Sequence, residues 1–407
     1  MSGGAESVRK VLSLYIVWWM LAGVAYAIPP PILKAKSAIV VDADTGQVLY
    51  ELRADERRAI ASTTKMMTAI LLIERGNLDD LVVATENAIH TRYANLNMTP
   101  GETIPLRDML YAIMLRSSND GAVAAAEYLS GSEERFVQMM NEKAQELGLK
   151  NTRFANAHGL DDPNHYSTAR DLATLARYCI QNPIFNAIVR TQKAHILRSV
   201  NQQDVVVTTH AHCLKHLPGA DGIKTGYTAK AGRCFVGSVT RNGWRLISVV
   251  LGSTDADKDT HALIEWAYRQ YTRIDLAQAG GTVGQVRVDG AQPNSVPVVA
   301  SAPLRVIVPR RWKEEVQPVL HLVPARPPVK RGQAVGELAA VVRGKVVAKV
   351  PVTAGAEAKM LTRTSVGLWL VLGSLIWVVN RLARQGRLNG YHRRYALRRS
   401  GNIRWRN

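Results

Sequence analysis

Between residues 37 and 271 the hydrophobic pattern changes period twice, and that order constrains the fold more than any other feature of the chain. Ser37-Ala38-Ile39-Val40-Val41-Asp42 and Gln47-Val48-Leu49-Tyr50 read as two strands joined by a tight turn at Asp44-Thr45-Gly46. From Ser62 to about Ile188 the pattern is mostly helical, with breaks at Gly76, Pro100-Gly101, Gly131 and Gly148. Ser132 to Leu147 is the clearest helix: Phe136, Met139, Met140 and Ala144 recur at helical spacing, and Gly148 ends it. Strand character returns with His195-Ile196-Leu197, Val205-Val206-Val207, Gly222 to Thr225, Cys234 to Val239 and Leu246 to Val250, and Asn242-Gly243 makes a hairpin between the last two. A helix from about Asp259 to Tyr271 follows. Strands at both ends with helices between them predict an α/β (α+β) domain, one antiparallel sheet completed by a helical cluster, over residues 28–275.

Near Asp275 the composition shifts. Short alternating strands (Val286-Arg287-Val288, Val296 to Val298, Arg305 to Val308, Val319 to Leu322, Val341 to Val350) are separated by Pro, Gly and Asn turns, including Arg343-Gly344. They predict a small all-β domain over 276–356. Residues 364 to 379 then run without a charge, about 24 Å of helix against a hydrocarbon core of roughly 30 Å. The run is apolar all round, and Arg363 and Arg381 flank it, so 364–380 is expected to be a transmembrane helix. The basic tail 381–407 is expected on the cytoplasmic side. At the other end, Arg9-Lys10, an apolar run to Gly23 and Ala25-Tyr26-Ala27 form a signal-peptide pattern over 1–27. With these segments, residues 28–275 are expected on the extracytoplasmic face of the cell membrane.

The net charge of +19 suggests a nucleic-acid binder until its distribution is considered. The stretch Leu361 to Asn407 contains ten Arg and no Lys, Asp or Glu, leaving +9 spread over the first 360 residues. That pattern fits a tail held near anionic lipid rather than a nucleic-acid partner. The three cysteines, Cys179, Cys213 and Cys234, make no disulfide framework; one pair is possible, and a buried free thiol is expected for at least one of them.

Chemistry concentrates in three short motifs. Ala61-Ser62-Thr63-Thr64-Lys65 opens the apolar run Met66 to Ile73, so Lys65 lies one helical turn from Ser62 and its amine can reach the hydroxyl. A serine at a helix start also has unpaired backbone N–H groups beside it, which favour developing negative charge. By itself the motif is weak, since Ser7-Val8-Arg9-Lys10 repeats it by chance. Ser117-Ser118-Asn119 follows, starting a new helix, and Lys224-Thr225-Gly226 lies in a strand, framed by Asp221 and Tyr227. Ser-x-Asn also recurs at Ser199 and Ser400, whereas Lys-Thr-Gly occurs once. Three motifs in this order on helix start, loop and strand define an acyl-transfer centre.

On these motifs, and on Phe154-Ala155-Asn156-Ala157-His158-Gly159-Leu160-Asp161 and Ser167-Thr168-Ala169-Arg170-Asp171, residues 37 to 271 resemble the low-molecular-mass penicillin-binding proteins, the serine-type D-alanyl-D-alanine carboxypeptidases. The β module resembles that family's C-terminal domain, especially at Lys330-Arg331-Gly332-Gln333. The resemblance implies a penicillin-recognising, β-lactamase-like fold and attack by Ser62 on the D-Ala-D-Ala bond of peptidoglycan stem peptides. It implies Lys65 as base, Ser117 as proton relay and Asn119 as holder of the substrate amide. Lys224, Thr225 and Gly226 would bind the terminal carboxylate, and the backbone N–H of Ser62 and Tyr227 would form an oxyanion hole. No cofactor or metal is implied, and β-lactam antibiotics are expected as inhibitors. Many relatives carry His where this chain has Tyr227; since that position acts through its backbone, an altered rate or pH dependence is expected.

Rival readings are weaker. A class A β-lactamase needs a Glu-x-x-Leu-Asn pattern, and none lies between Asn119 and Lys224. An inactive scaffold would have lost a catalytic residue, and none is lost. His210-Ala211-His212-Cys213-Leu214-Lys215-His216 has imidazoles that could hold zinc but no carboxylate at ligand spacing, and it reads as a surface loop. His158 reads as structural, and Arg170 with Asp171 as an internal ion pair.

Overall fold

In a computed structural model, residues 28–201, 205–361 and 369–384 are described, so the signal pattern 1–27, residues 364–368 of the apolar run and the tail from 385 lie outside them. The chain forms two compact units. One holds the residues up to Arg273 together with Ile307–Arg311, and the other holds Ile274–Val306 and the residues from Trp312 onward.

The first unit is built on a five-stranded antiparallel sheet. Its strands are β1 (Ser37–Asp42), β2 (Val48–Leu52), β3 (Ala220–Thr228), β4 (Gly232–Arg241) and β5 (Trp244–Ser253), in the spatial order β2-β1-β5-β4-β3. Local turn chemistry sets the two hairpins. Asp42 Oδ1 accepts from the Thr45 N–H at 2.6 Å, and Asn242 (φ 50°) with Gly243 (φ 72°) supplies the paired left-handed residues of a tight β-turn. β1 is buried along its whole length because both faces are covered. Ile39 and Val41 point into a core shared with the helices of the insertion, and Ala38 and Val40 into a second core with Leu263, Ile264 and Ala267.

Between β2 and β3 run the helices. A 3₁₀ turn, Ala61–Thr64, leads into α1 (Lys65–Arg75), which is buried from Lys65 to Ile73. Then come α2 (Asn119–Ser130), α3 (Glu133–Glu146), α4 (Ala169–Cys179) and α5 (Pro183–Arg190). Ser118, Ser132, Thr168 and Asn182 cap them, each side chain accepting a backbone N–H of the first turn. After β5 the last helix of this unit, α6, covers Ala256–Gln270 rather than 259–271, because Asp255 accepts from Lys258 N and sets the start earlier. The expected strands at 195–197 and 205–207 are found as Lys193–His195 paired with Val206–Thr208.

The second unit carries its own sheet of β6 (Thr282–Arg287), β7 (Ser295–Ala300), β8 (Val316–Leu322), β9 (Ala334–Val342) and β10 (Lys345–Ala354), in the order β6-β7-β10-β9-β8. Val286, Val296, Val298, Leu338 and Val352 form its core. Arg343 (φ 52°) and Gly344 (φ 74°) turn β9 into β10. A helix covers 369–384. Among the described residues no helix is long and apolar enough to cross a membrane, so the described part of the apolar run falls short of the expected span.

Candidate active site

The three motifs converge at one edge of the sheet. β3 passes so close to the 3₁₀ turn that a Cβ on Gly226 would stand 2.8 Å from Ser62 N and 3.0 Å from Ala61 Cβ. Only glycine lets the strand lie against the backbone of the serine turn, which explains the third residue of Lys-Thr-Gly. Ser62, Ser117, Thr225, Gly226 and Tyr227 line a single cleft of about 300 Å³.

Lys65 is fully buried behind Ser62. Its Nζ donates to Ser62 Oγ at 3.1 Å, to Asn119 Oδ1 at 2.6 Å and to the His158 carbonyl at 2.7 Å. Three acceptors fix the amine against the hydroxyl. None of them is a carboxylate, so burial, and then the Lys224 cation, hold its pKa well below that of an ordinary lysine, with Asp120 pulling the other way. Burial also brings Lys224 down to about 7. Its Nζ donates to its neighbour's carbonyl, Thr225 O, at 3.1 Å. An ammonium has three donors, so capacity remains for an anion in the cleft.

The second motif is placed by an irregular turn. A π-helical segment, Ala112–Arg116, ends with Ser117 in the left-handed conformation (φ 67°), which swings Ser117 into the cleft before α2 begins at Asn119. Asn119 Nδ2 donates to the carbonyls of Arg92 (2.9 Å) and Tyr93 (3.1 Å). Both amide hydrogens are thus committed, and holding a substrate amide requires exchanging one of them. Tyr227 is 66% exposed, in keeping with a position that contributes backbone rather than side chain.

Several residues that sequence reasoning did not single out support this arrangement. Asp120 accepts from Leu96 N (3.0 Å) and Met98 N (3.3 Å), pinning the loop whose residue Ala94 lines the cleft. His165 Nδ1 accepts from Ala155 N at 3.1 Å, so its Nε2 carries the proton and donates to Thr64 Oγ1 at 2.8 Å. Burial first keeps both nearby imidazoles neutral, with pKa values of about 4 for His165 and about 3 for His158. His158 therefore acts through its carbonyl on Lys65. His210 and His212 line the same cleft, and among the described residues no group of His, Cys, Asp and Glu is placed to hold a metal ion. Arg170 does not pair with Asp171. It bonds Asp55 at 2.8 Å and Glu51 at 2.5 Å, while Asp171 accepts from Asn151 N and Thr152 Oγ1. Cys179, Cys213 and Cys234 are all buried, and none of the three is in a disulfide.

A serine hydrogen-bonded to a buried lysine, with a second buried lysine on the strand that borders the cleft, defines an active-serine acyl-transfer enzyme. The family model of the D-alanyl-D-alanine carboxypeptidases matches residues 25–255, and that of the penicillin-binding protein 5 C-terminal domain matches 271–359. The chain is 34% identical over 338 residues to D-alanyl-D-alanine carboxypeptidase DacF of Bacillus subtilis, covering 80% of this chain and 86% of the relative. It is 31% identical over 337 residues to DacC of Escherichia coli, covering 79% and 83%. The crystal structure of penicillin binding protein 5 from Haemophilus influenzae matches with a TM-score of 0.70 at 28% identity, over 82% of this chain and 99% of that one. The chain belongs to the D-alanyl-D-alanine carboxypeptidase family of low-molecular-mass penicillin-binding proteins.

Proposed function

We propose that the protein removes the terminal D-alanine from peptidoglycan stem pentapeptides through an acyl-enzyme on Ser62. The observation that carries this reading is the Lys65 amine, buried, shifted toward its neutral form and 3.1 Å from Ser62 Oγ. Neutral Lys65 takes the Ser62 proton as Oγ attacks the carbonyl between the two D-alanines. The N–H groups of Ser62 and Tyr227 receive the oxyanion, and Ser117 passes a proton to the leaving amine. Lys224 and Thr225 hold the terminal carboxylate, which selects a carboxypeptidase substrate. Water then hydrolyses the ester. Asn119 fixes Lys65 through Oδ1 and ties it to the 92–93 backbone. A β-lactam, whose strained amide resembles D-Ala-D-Ala, acylates the same oxygen.

The reading includes a catalytic domain over 28–275, a β domain over 276–356, export by the leader and anchoring of the exported chain through residues 364–380. The leader pattern, the uncharged apolar run and the arginine-rich tail support it. Intact-mass spectrometry with benzylpenicillin tests the chemistry: one adduct on Ser62, absent from Ser62→Ala, is expected, and no adduct on a folded sample sinks the mechanism. Alkaline extraction of cell membranes tests the anchor. The full chain should stay in the pellet and a chain ending at residue 361 should be released; release of both removes the anchor from the reading.

A further inference from the structure

One carboxylate packed behind the Ser62 centre has no part in the mechanism above. Glu133 opens α3, and its side chain is 19% exposed. Its Oε1 accepts from the Ala157 N–H at 2.9 Å and lies 3.7 Å from Nε2 of His158. His158 Nδ1 accepts from Leu160 N at 3.1 Å, so Nε2 carries the proton of the neutral ring. Among the described residues no Lys or Arg pairs with Glu133. Burial raises its pKa, the Ala157 N–H opposes that rise, and the like charges of Glu127 on α2 and of Glu134 add to it. A partly buried acid without a cation is costly to keep. What it gains is a hold on the turn at residues 156–160.

That turn is bonded to the first turn of α1 through two successive carbonyls. Ala157 O accepts from Thr68 Oγ1 at 2.6 Å, and His158 O accepts from Lys65 Nζ at 2.7 Å. Residues 157 and 158 are therefore strung between the start of α3 and the helix that carries the base. Asn156 shapes the turn from within, its Oδ1 accepting from Gly159 N at 2.7 Å and His158 N at 3.3 Å. The turn also presses on the serine segment: a Cβ on Gly159 (φ 93°) would stand 2.0 Å from Ala61 O. Asn156 moves with the turn, whereas Glu133 reaches it from a separate helix. Asn141 of the same helix bonds the backbone of Phe154, three residues upstream, so α3 holds this segment at two points.

We infer that Glu133 is a positioning residue for acylation: by accepting the Ala157 N–H it holds the His158 carbonyl on Lys65, and so holds the amine 3.1 Å from Ser62 Oγ. The inference rests on the Ser62–Lys65 reading of the cleft and adds to it a residue that touches neither nucleophile nor base. Two effects follow from loosening the turn. An amine with one anchor fewer spends less time aimed at Ser62, which slows proton abstraction. A carbonyl that accepts from Nζ favours the ammonium over the neutral amine, so weakening it lowers the proton affinity of Lys65 further. Acylation should therefore be slower, while the acid limb of its pH profile moves to lower pH. A mere loss of stability does not move that limb.

The test follows benzylpenicillin acylation of the full chain in detergent, by intact mass against time, across a range of about pH 5 to 9. Glu133→Asp keeps the charge but draws the carboxylate back by one methylene. Glu133→Gln drops the charge but keeps an oxygen for Ala157 N. The aspartate variant is expected to acylate about ten- to a hundredfold more slowly, with its acid limb lower by about half a pH unit or more. The glutamine variant should stay within about twofold of wild type in rate and keep the wild-type limb. Glu134→Ala disturbs the same helix turn at an exposed position and should change neither rate nor limb. Melting temperature and the final adduct yield report the folded fraction of each variant. The inference is overturned by a wild-type rate and limb in Glu133→Asp, by a glutamine variant as impaired as the aspartate one, or by slowing that leaves the limb in place. In each of these cases a wild-type adduct on Ser62 leaves the acyl-enzyme reading standing. A folded wild type that forms no adduct overturns both.

Discussion

Two buried charge clusters in the first unit handle the same physical problem in opposite ways. Arg198 and Glu102 have fully buried side chains and pair through both arms, Nε to Oε1 at 2.7 Å and Nη2 to Oε2 at 2.9 Å. Arg198 Nη1 also donates to Leu96 O, and Glu102 accepts from Thr99 N and Asn201 N. Burial would raise the Glu102 carboxyl, but the hydrogen bonds from Arg198, Thr99 and Asn201 together hold it below the usual range. The charges stay on, and the cluster locks the loop beside Ala94 to the hairpin at 193–208. Lys65 and Lys224 are two buried amines with no carboxylate hydrogen-bonded to either among the described residues, so their pKa values fall instead. The paired cluster supports architecture. The unpaired one leaves an amine able to accept a proton, a state that an ion pair would abolish.

Substitutions that treat the two clusters alike should separate them. The largest effect is expected for Lys65→Met, which keeps the volume and removes the base: benzylpenicillin acylation should slow by about 10²–10⁴-fold, measured by adduct formation against time. An unchanged rate would mean that another group takes the Ser62 proton. Next comes Arg198→Met, which strands a buried carboxylate. A loss of about 3–5 kcal/mol is expected, read as a melting temperature lower by roughly 10 °C. Glu102→Leu combined with Arg198→Met should recover much of that, since the strand of unpaired charge is then gone. Equal melting temperatures for the wild type and Arg198→Met would show that the pair carries no structural load.

The contrast also explains which parts of this molecule were open to sequence reading. Residues close in sequence announced themselves. Ser62 and Lys65 sit one turn apart, Asn242-Gly243 has the backbone preference of its turn, and Ser37 to Asp42 reads as a strand. The Lys-Thr-Gly strand followed from its own pattern and gained a physical reason in the 2.8 Å approach of Gly226 to Ser62. What stayed hidden depends on contacts between distant segments. Glu102 and Arg198 are 96 residues apart, and nothing local marks them as partners. Asp120 pins residues 96 and 98 from across a loop, and Glu133 holds Ala157 from the start of another helix. The early start of α6 had a signal, Asp255 three residues before Lys258, which the helical periodicity beginning at Asp259 concealed. An internal pair of Arg170 with its neighbour Asp171 was expected, whereas Arg170 bonds Asp55 and Glu51 at the surface, more than a hundred residues earlier.

A smaller effect of opposite sign sharpens the comparison. Lys224→Met should abolish carboxylate anchoring yet raise stability at neutral pH by on the order of 2 kcal/mol, because the cation it removes is buried without an anion. A drop in melting temperature comparable to that of Arg198→Met would mean that Lys224 is held by favourable interactions after all, and the contrast between the clusters would collapse.

The smallest effect lies in the pH dependence of stability, and its sign follows from the direction of the shifts. Lys224 titrates at about 7 in the folded protein and at 10.5 as an ordinary lysine. Between these values the unfolded chain binds more protons, so wild-type stability should rise as pH increases from about 7 toward 10.5. One group contributes at most about 1.4 kcal/mol per pH unit. Lys65, also lowered, adds to the slope in the same direction. Denaturant titrations at pH 7.5 and 9 should therefore show wild type gaining stability, Lys224→Met gaining less, and Arg198→Met keeping the wild-type slope despite its lower absolute stability. A wild-type slope that Lys224→Met leaves unchanged would place the lowered proton affinity elsewhere in the fold. A slope lost in Arg198→Met would mean that the paired cluster, by holding the loop beside Ala94, keeps the lysines dry.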